Sequence, residues 1–269
     1  FISIVGDNRP EWVISELAAQ SMGGASVGLY QDSTAEEILF IVAQCDIKFI
    51  VVEDQEQVDK IIEIWDQISG VEKVIYYDPK GLRNYTDDFL MSFPAVEALG
   101  AGYAIEHPTF FDESVDQGKG SDVAILSTTS GTTSKPKLAK ITHDNLMSMG
   151  KGLTSVDPFG ADDQFISFLP LAWIGEQMIS VACGMRTGFA LSFPEETETV
   201  QADLREIGPR IIFAPPRIWE SMVSRVQAKI EDADFIKRRL YHWAMKVGYE
   251  LADKRFENQE FTFRDKVLE

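Results

Sequence analysis

Histidine and cysteine are scarce in this sequence, and bases are outnumbered. In 269 residues there are three histidines and two cysteines, and 25 Lys and Arg stand against 43 Asp and Glu, a net charge of −18. No window approaches the roughly 18 consecutive apolar residues that a membrane-spanning helix needs. The longest apolar stretches, such as Phe49-Ile50-Val51-Val52, are strand-sized. That excludes a helical transmembrane protein. A chain this acidic repels nucleic acid, whose binding needs a basic footprint. Cys45 and Cys183 lie too far apart for a metal motif, and such sparse usage fits a reducing cytosol. His107 and His242 have no Cys, Asp or Glu partner at metal-ligand spacing, so no metal site is assigned. No basic n-region and long apolar h-region open the chain, so its start is not a signal peptide. Phe1-Ile2-Ser3-Ile4-Val5 already reads as a buried strand, as in an internal piece of a longer protein.

What is present is ordinary globular composition, 45% apolar and 11% aromatic. At this length it can bury one large core or two smaller ones. Strand-like and helix-like segments alternate. Phe1–Val5, Ala25–Tyr30, Lys48–Val52 and Val71–Tyr77 read as strands. Between them, Pro10 suits a first helical turn, Ser33-Thr34 with Glu36-Glu37 opens a helix toward Cys45, and Gln55–Gln67 forms a third helix. Pro79–Gly120 shows no clear period. After it Val123–Ser127, Leu138–Ile141, Phe165–Leu169, Gly188–Phe193 and Arg210–Phe213 are strand candidates. From about Asp234, Ile236, Leu240, Trp243, Val247 and Leu251 mark one face of a long helix. Alternation of this kind predicts crossover units and mostly parallel sheets. The expected architecture is α/β: two Rossmann-like lobes over 1–120 and 121–228, then a helical segment over 229–269.

The most informative stretch is Ser127-Thr128-Thr129-Ser130-Gly131-Thr132-Thr133-Ser134-Lys135-Pro136-Lys137. Backbone N–H groups around a glycine, with Ser and Thr hydroxyls, can wrap phosphate oxygens, while Lys adds charge. Between Asp122 and Asp144 stand three lysines, Lys135, Lys137 and Lys140, and no acid. In so acidic a chain that is a local seat for a polyanion. Composition alone also fits a surface connector. The stretch is not the G-x-x-x-x-G-K-[ST] phosphate loop, since it lacks the first Gly and the hydroxyl after Lys137.

The order of these residues closely resembles the signature of the AMP-binding, adenylate-forming enzymes: a hydroxyl run, Gly, two hydroxyls, a small residue, any residue, Pro and Lys. Ser134 stands where Gly is commoner, and Leu138 replaces the usual Gly after Lys. Further matches run along the chain. Asn8-Arg9-Pro10-Glu11-Trp12, Gly23–Gly28, Val52-Glu53-Asp54, Ile141–Leu146, Ser167–Ala172, Phe213–Glu220 and Tyr241–Gly248 resemble the long-chain fatty acyl-CoA synthetase branch. The resemblance implies ATP-dependent conversion of a fatty acid to an acyl-adenylate and then to acyl-CoA, with ATP, Mg²⁺ and CoA as cofactors. It implies phosphate binding by Thr128, Thr129, Ser130, Gly131, Thr132, Thr133, Ser134 and Lys137, through charge and position rather than acid–base work. It also implies a cytoplasmic protein, with peripheral membrane association left open, as is the oligomeric state. Family motifs for the Mg²⁺-binding Glu, the ribose-binding Asp and a late catalytic lysine do not occur before Glu269. The catalytic lysine is therefore not assigned, and the expectation is that this chain alone is inactive. Two other functions stay open: adenylation of an amino or aryl acid, and a non-catalytic nucleotide-binding relative.

Trp173, after Leu169-Pro170-Leu171-Ala172, has two readings. A Trp near a strand's carboxyl end can line an acyl channel, or it can be a core Trp at the head of a helix. Thr142 and Asn145 suggest a helix opening, so His143 is assigned to capping and packing. Glu195-Glu196-Thr197-Glu198 reads as a solvated helix start, and Pro215-Pro216 as a rigid turn.

Overall fold

The computed structural model describes residues 1–129 and 136–268. Strands β1 (Ile2–Val5), β2 (Ser26–Leu29), β3 (Phe49–Val52), β4 (Lys73–Tyr76), β5 (Leu90–Ser92), β6 (Val123–Thr129) and β7 (Lys137–Thr142) form one sheet. Their order is β5-β4-β3-β1-β2-β6-β7. Every pairing is parallel except β6–β7, which is an antiparallel hairpin. Parallel strands covered on both faces need apolar residues on both, and β3 accordingly buries Ile50, Val51 and Val52 together.

Strand alternation divides the core. Val5, Ile50, Val52 and Val74 point to one face, where α2 (Ala35–Val42) and α3 (Gln55–Ile64) supply Ile38, Ile41, Val58 and Ile61. Ile4 and Val51 point to the other, where they meet Trp12 of α1 (Pro10–Ser21) and Leu171 and Ala172. The helix starts follow their caps. Thr34 forms a capping box with Glu37, and Asp54 accepts from the amides of Glu56 and Gln57. Thr142 and Asn145 form the same box at the head of α6 (His143–Val156), so His143 opens a helix as its sequence context suggests.

Gly28 of β2 is where the second face comes closest to the sheet. A Cβ there would lie 3.0 Å from Trp12 Cζ2 and 3.0 Å from Ala172 Cα. Overpacking of this kind typically costs 1–3 kcal/mol. Gly28→Val is expected to lower stability by about 2 kcal/mol, read as the urea midpoint, and an unchanged midpoint would disprove the close approach.

Some sequence expectations fail locally. Pro79–Gly120 holds β5, α4 (Phe93–Glu106) and α5 (Phe110–Gln117). Neither helix contains a fully buried residue, and α4 spreads its apolar residues around its circumference instead of along one face. Beyond α6, β8 (Gln164–Ile166) and β9 (Ala190–Ser192) make a two-stranded parallel sheet, each shorter than its apolar run. Arg210–Phe213 forms no strand; only Ile211 bridges to Phe165. Pro209 and Pro215-Pro216 flank it and supply no ladder N–H. One continuous helical stretch, α7 (Ile174–Gln177), a π-helical turn and α8 (Gly184–Thr187), runs between β8 and β9, and α9 (Val200–Ile207) follows β9.

Contacts divide the chain at Ile212. The first unit holds both sheets; β6, assigned from sequence with β7 to a second lobe, pairs with β2 in the first sheet, and β7 pairs with β6. The second unit, 213–269, contains α10 (Pro216–Glu231), α11 (Phe235–Phe256) and α12 (Phe263–Leu268). Asp234 caps α11 through the amides of Ile236 and Lys237. Lys254 donates to Asp265 at 2.7 Å, and this hydrogen bond holds the Asp265 carboxyl down at about 2. No helix among the described residues is long and apolar enough to cross a membrane.

Candidate active site

In open parallel sheets, ligands sit beyond the carboxyl ends of strands, at the point where the strand order reverses. Here that point lies between β1 and β3, and it is plugged. A Cβ on Gly6 would collide with the Tyr77 hydroxyl and reach within 2.8 Å of Glu53 Cβ. Arg9 crosses the same place, 3.5 Å from the Glu53 carboxylate, and donates to the Pro194 carbonyl at 2.9 Å. Open space lies on the other side of β1, beyond the ends of β1, β2 and β6.

A cleft of about 590 Å³ lies there, lined by Tyr30, Asp32 and Thr34 on one side and Thr128, Thr129 and Pro136 on the other. It forms where β6 ends and the hydroxyl-rich loop begins. Thr129 pairs in register with Lys137, and its hydroxyl donates to the Lys137 carbonyl at 3.3 Å. Thr129 therefore pins the two ends of the loop. Lys137 is exposed, just past Pro136, and is not among the residues lining the cleft. Ser130, Gly131, Thr132, Thr133 and Ser134 lie outside the described residues. Helix α2 points its first turn at the same cleft, but Glu37 already accepts from the Thr34 amide and hydroxyl there. That end of the cleft is committed to capping and carries a carboxylate. Donors for an anion must come from the loop side, from Thr128 and the lysines.

A second cleft, of about 390 Å³, shares Leu29, Tyr30 and Asp32 with the first. Its lining includes Asp7, Glu195 and Glu196, while its cation, Arg9, is already paired with Glu53. Burial is the main cause raising the carboxyls of Asp7 and Glu53 above the ordinary range; Glu196 adds to Asp7, and Asp7 to Glu53. This cleft suits no free anion. Glu195 and Glu196, read as a helix start, precede α9 and face it.

Trp173 is half-buried at the N-cap of α7. Its N–H donates to the Pro170 carbonyl at 2.8 Å, and its own carbonyl accepts from the Glu176 amide at 3.0 Å. The indole lies over Gly175, where a Cβ would collide with the ring. Trp173 lines neither cleft. The segment before it does: Phe168, Pro170 and Ala172 form an apolar wall of the second cleft.

Sequence reasoning assigned no role to the polar residues that hold this segment. The Asn8 amide donates to Ser167 Oγ at 2.8 Å and to the Leu169 carbonyl at 2.6 Å, and its oxygen accepts from the Leu171 N–H at 3.0 Å. Gln177 donates to the Leu171 carbonyl at 2.9 Å and to Glu16 at 2.8 Å. Glu176 accepts from Ser180 at 2.6 Å and faces Ser167 and the Leu169 amide. Glu16 and Glu176 are 1% and 0% exposed. Burial pushes each carboxyl up to about 7, against the donors that favour its charged form. One signal was available: Trp12, Glu16 and Gln20 recur every four residues, so an acid shares the buried stripe of α1.

Among the described residues, no group of three or more His, Cys, Asp and Glu could hold a metal ion. The mostly parallel sheet flanked by helices, with Thr128 and Thr129 in the wall of a cleft at the carboxyl edge of its strands, defines an open-sheet α/β domain. The sequence model of the AMP-binding enzymes matches residues 1–258, and the chain belongs to that family. It is 30% identical over 256 residues to long-chain-fatty-acid–CoA ligase ACSBG2 of Xenopus laevis, covering 93% of this chain and 34% of that protein. It is 28% identical to the ACSBG1 ligase of Homo sapiens, covering 93% and 35%. The chain thus spans about a third of the length of these curated relatives. Among solved structures, the A-PCP didomain of carboxylic acid reductase from Segniliparus rugosus, in complex with AMP, superposes with a TM-score of 0.64. That match has 19% identity and covers 87% of this chain and 35% of that one. The long-chain-fatty-acid-CoA ligase FadD1 of Archaeoglobus fulgidus superposes at 0.62 with 16% identity, over 86% and 42%. These superpositions establish the fold.

Proposed function

We propose that the protein carrying this chain activates a long-chain fatty acid with ATP and then transfers the acyl group to CoA. The observation that carries the reading is the β6–β7 hairpin end, which sets Thr128 in the wall of the cleft with Lys137 beside it, in a family-matched chain similar to fatty acid ligases. In the first step a carboxylate oxygen attacks the α-phosphorus, the bond to the β-phosphate oxygen breaks, and pyrophosphate leaves. In the second, the CoA sulfur attacks the acyl carbon and AMP leaves. The first step asks for charge neutralisation and positioning, which hydroxyls and lysine supply without moving a proton. The loop from Thr128 to Ser134 and Lys137 is our assignment for the β- and γ-phosphates, and Trp173 for the acyl side. Mg²⁺ is proposed to accompany the nucleotide, and the described residues provide no cluster of their own for it. We place the activity in the cytoplasm.

Pyrophosphate release with ATP, Mg²⁺ and palmitate tests the proposal. The full-length protein is expected to turn over at about 1 s⁻¹ or faster, an ordinary enzyme rate, and the 269-residue chain alone far more slowly. A full-length protein that is folded yet silent with every fatty acid would overturn the reading. Turnover by the isolated chain would refute its dependence on residues outside it.

A further inference from the structure

We propose that Asn8 is a positioning residue whose carboxamide stands in for an absent neighbouring strand along Leu169–Leu171 and so sets the turn that presents Trp173. The inference rests on the activity proposed above, but its geometry stands independently. Strand β8 ends at Ile166, and the chain then runs irregularly to α7 through a buried region: Ser167, Leu169, Leu171 and Ala172 are each under 9% exposed. Buried backbone groups need partners, and past Ser167, whose N–H still donates to the Ser192 carbonyl of β9 at 2.9 Å, no strand ladder supplies them here. A primary amide donates and accepts at one end of a short side chain, as a peptide unit does. Asn8 uses both: it donates to the Leu169 carbonyl and accepts from the Leu171 N–H, bracketing Pro170, which has no N–H of its own. Gln177 satisfies the Leu171 carbonyl from the other side.

The anchor is rigid. Asn8 follows β1, the sheet's central strand, and its neighbour Arg9 is tied to Glu53 and Pro194. The held segment is short: one residue, Ala172, separates Leu171, whose N–H Asn8 grips, from Trp173, and the Trp173 backbone N–H itself returns to Pro170. Displacement of Leu169–Leu171 therefore passes directly to the Trp173 turn. Misplacement by about an ångström can cost on the order of 10²-fold in a positioned reaction.

The test is made on the full-length protein with Asn8→Ala and the smaller change Asn8→Ser, labelled with 5-fluorotryptophan. The Trp173 resonance is identified by its loss in Trp173→Phe. It is expected to shift or split in both Asn8 variants, while that of Trp65, stacked on Phe89 at 3.8 Å in the first core, stays in place. In the same variants the KM for palmitate is expected to rise about tenfold, a fraction of the loss a misplaced group can cause, with the KM for ATP unchanged. An unmoved Trp173 resonance overturns the proposal. So does a moved resonance with both KM values unchanged, or both raised alike. If neither variant folds, Asn8 serves stability and the positioning role is wrong. If the unsubstituted protein releases no pyrophosphate, the proposed activity fails, and the resonance alone still decides for or against Asn8.

Discussion

Lys137→Ala in the full-length protein is expected to slow acyl-adenylate formation by roughly 10²-fold, the usual cost of removing one preorganised donor from a developing charge. The backbone of Lys137 is held independently of its side chain. It pairs with Thr129 at the start of β7, and its carbonyl accepts from the Thr129 hydroxyl. The side chain is exposed, so its removal leaves the core intact. What disappears is a cation next to a cleft whose other rim carries Asp32 and Glu37. Lys137→Arg should retain most of the rate, since the proposed phosphate binding needs charge more than a fixed plane. Thr132→Ala, at a position outside the described residues, is expected to act in the same direction. Pyrophosphate release and melting temperature are measured together. Unchanged ATP kinetics in folded Lys137→Ala would show that the hairpin loop is a surface connector.

Glu176→Gln is expected to stabilise the protein at pH 8 and to do little at pH 5. The folded carboxyl titrates near 7, raised by burial from 4.5. Between these values the folded state keeps a proton that the unfolded chain releases. The stability tied to that proton is complete below 4.5 and is lost as pH rises through 7. The interval corresponds to about 3 kcal/mol. Gln has nearly the same shape, still accepts from Ser180, and carries no charge to bury. Urea unfolding at pH 5 and pH 8, compared with the unsubstituted protein, reads the difference directly. Glu16, raised to about 7 by the same cause, should behave alike as Glu16→Gln. Equal pH slopes in variant and parent would mean that Glu176 remains charged and solvated.

The regular parts of this fold were legible because local chemistry and tertiary packing agree. Ile4-Val5, Ile50–Val52 and Val74 are apolar on consecutive residues, which suits a sheet covered on both faces. Thr34 with Glu37, and Thr142 with Asn145, announce helix starts through bonds made within four residues. The order of residues from Thr128 to Lys137 carries the family resemblance, and its flanking strands pair as a hairpin. Where partners are distant, the same reasoning failed. Helix α4 spreads its apolar residues around its circumference, so no period marked it, and α5 has only eight residues. Arg210–Phe213 looks like a strand but has neighbours that cannot complete a ladder.

The sequence by itself determined the family, the parallel-sheet class and the hydroxyl-and-lysine loop. Each rests on residues adjacent in the chain, where capping, alternation and charge act over a few ångströms. Only the tertiary structure decided where the open space lies and what holds its walls. Tyr77 fills the gap between β1 and β3 against Gly6, and the clefts open on the other side of β1, toward β2 and β6. Asn8 meets Leu169 and Leu171 across more than 160 positions, and Glu16 meets Gln177 across 161. An asparagine or glutamate is polar in any sequence. Whether it is solvated or must replace a strand's hydrogen bonds depends on burial, and burial is set by elements far away in the chain.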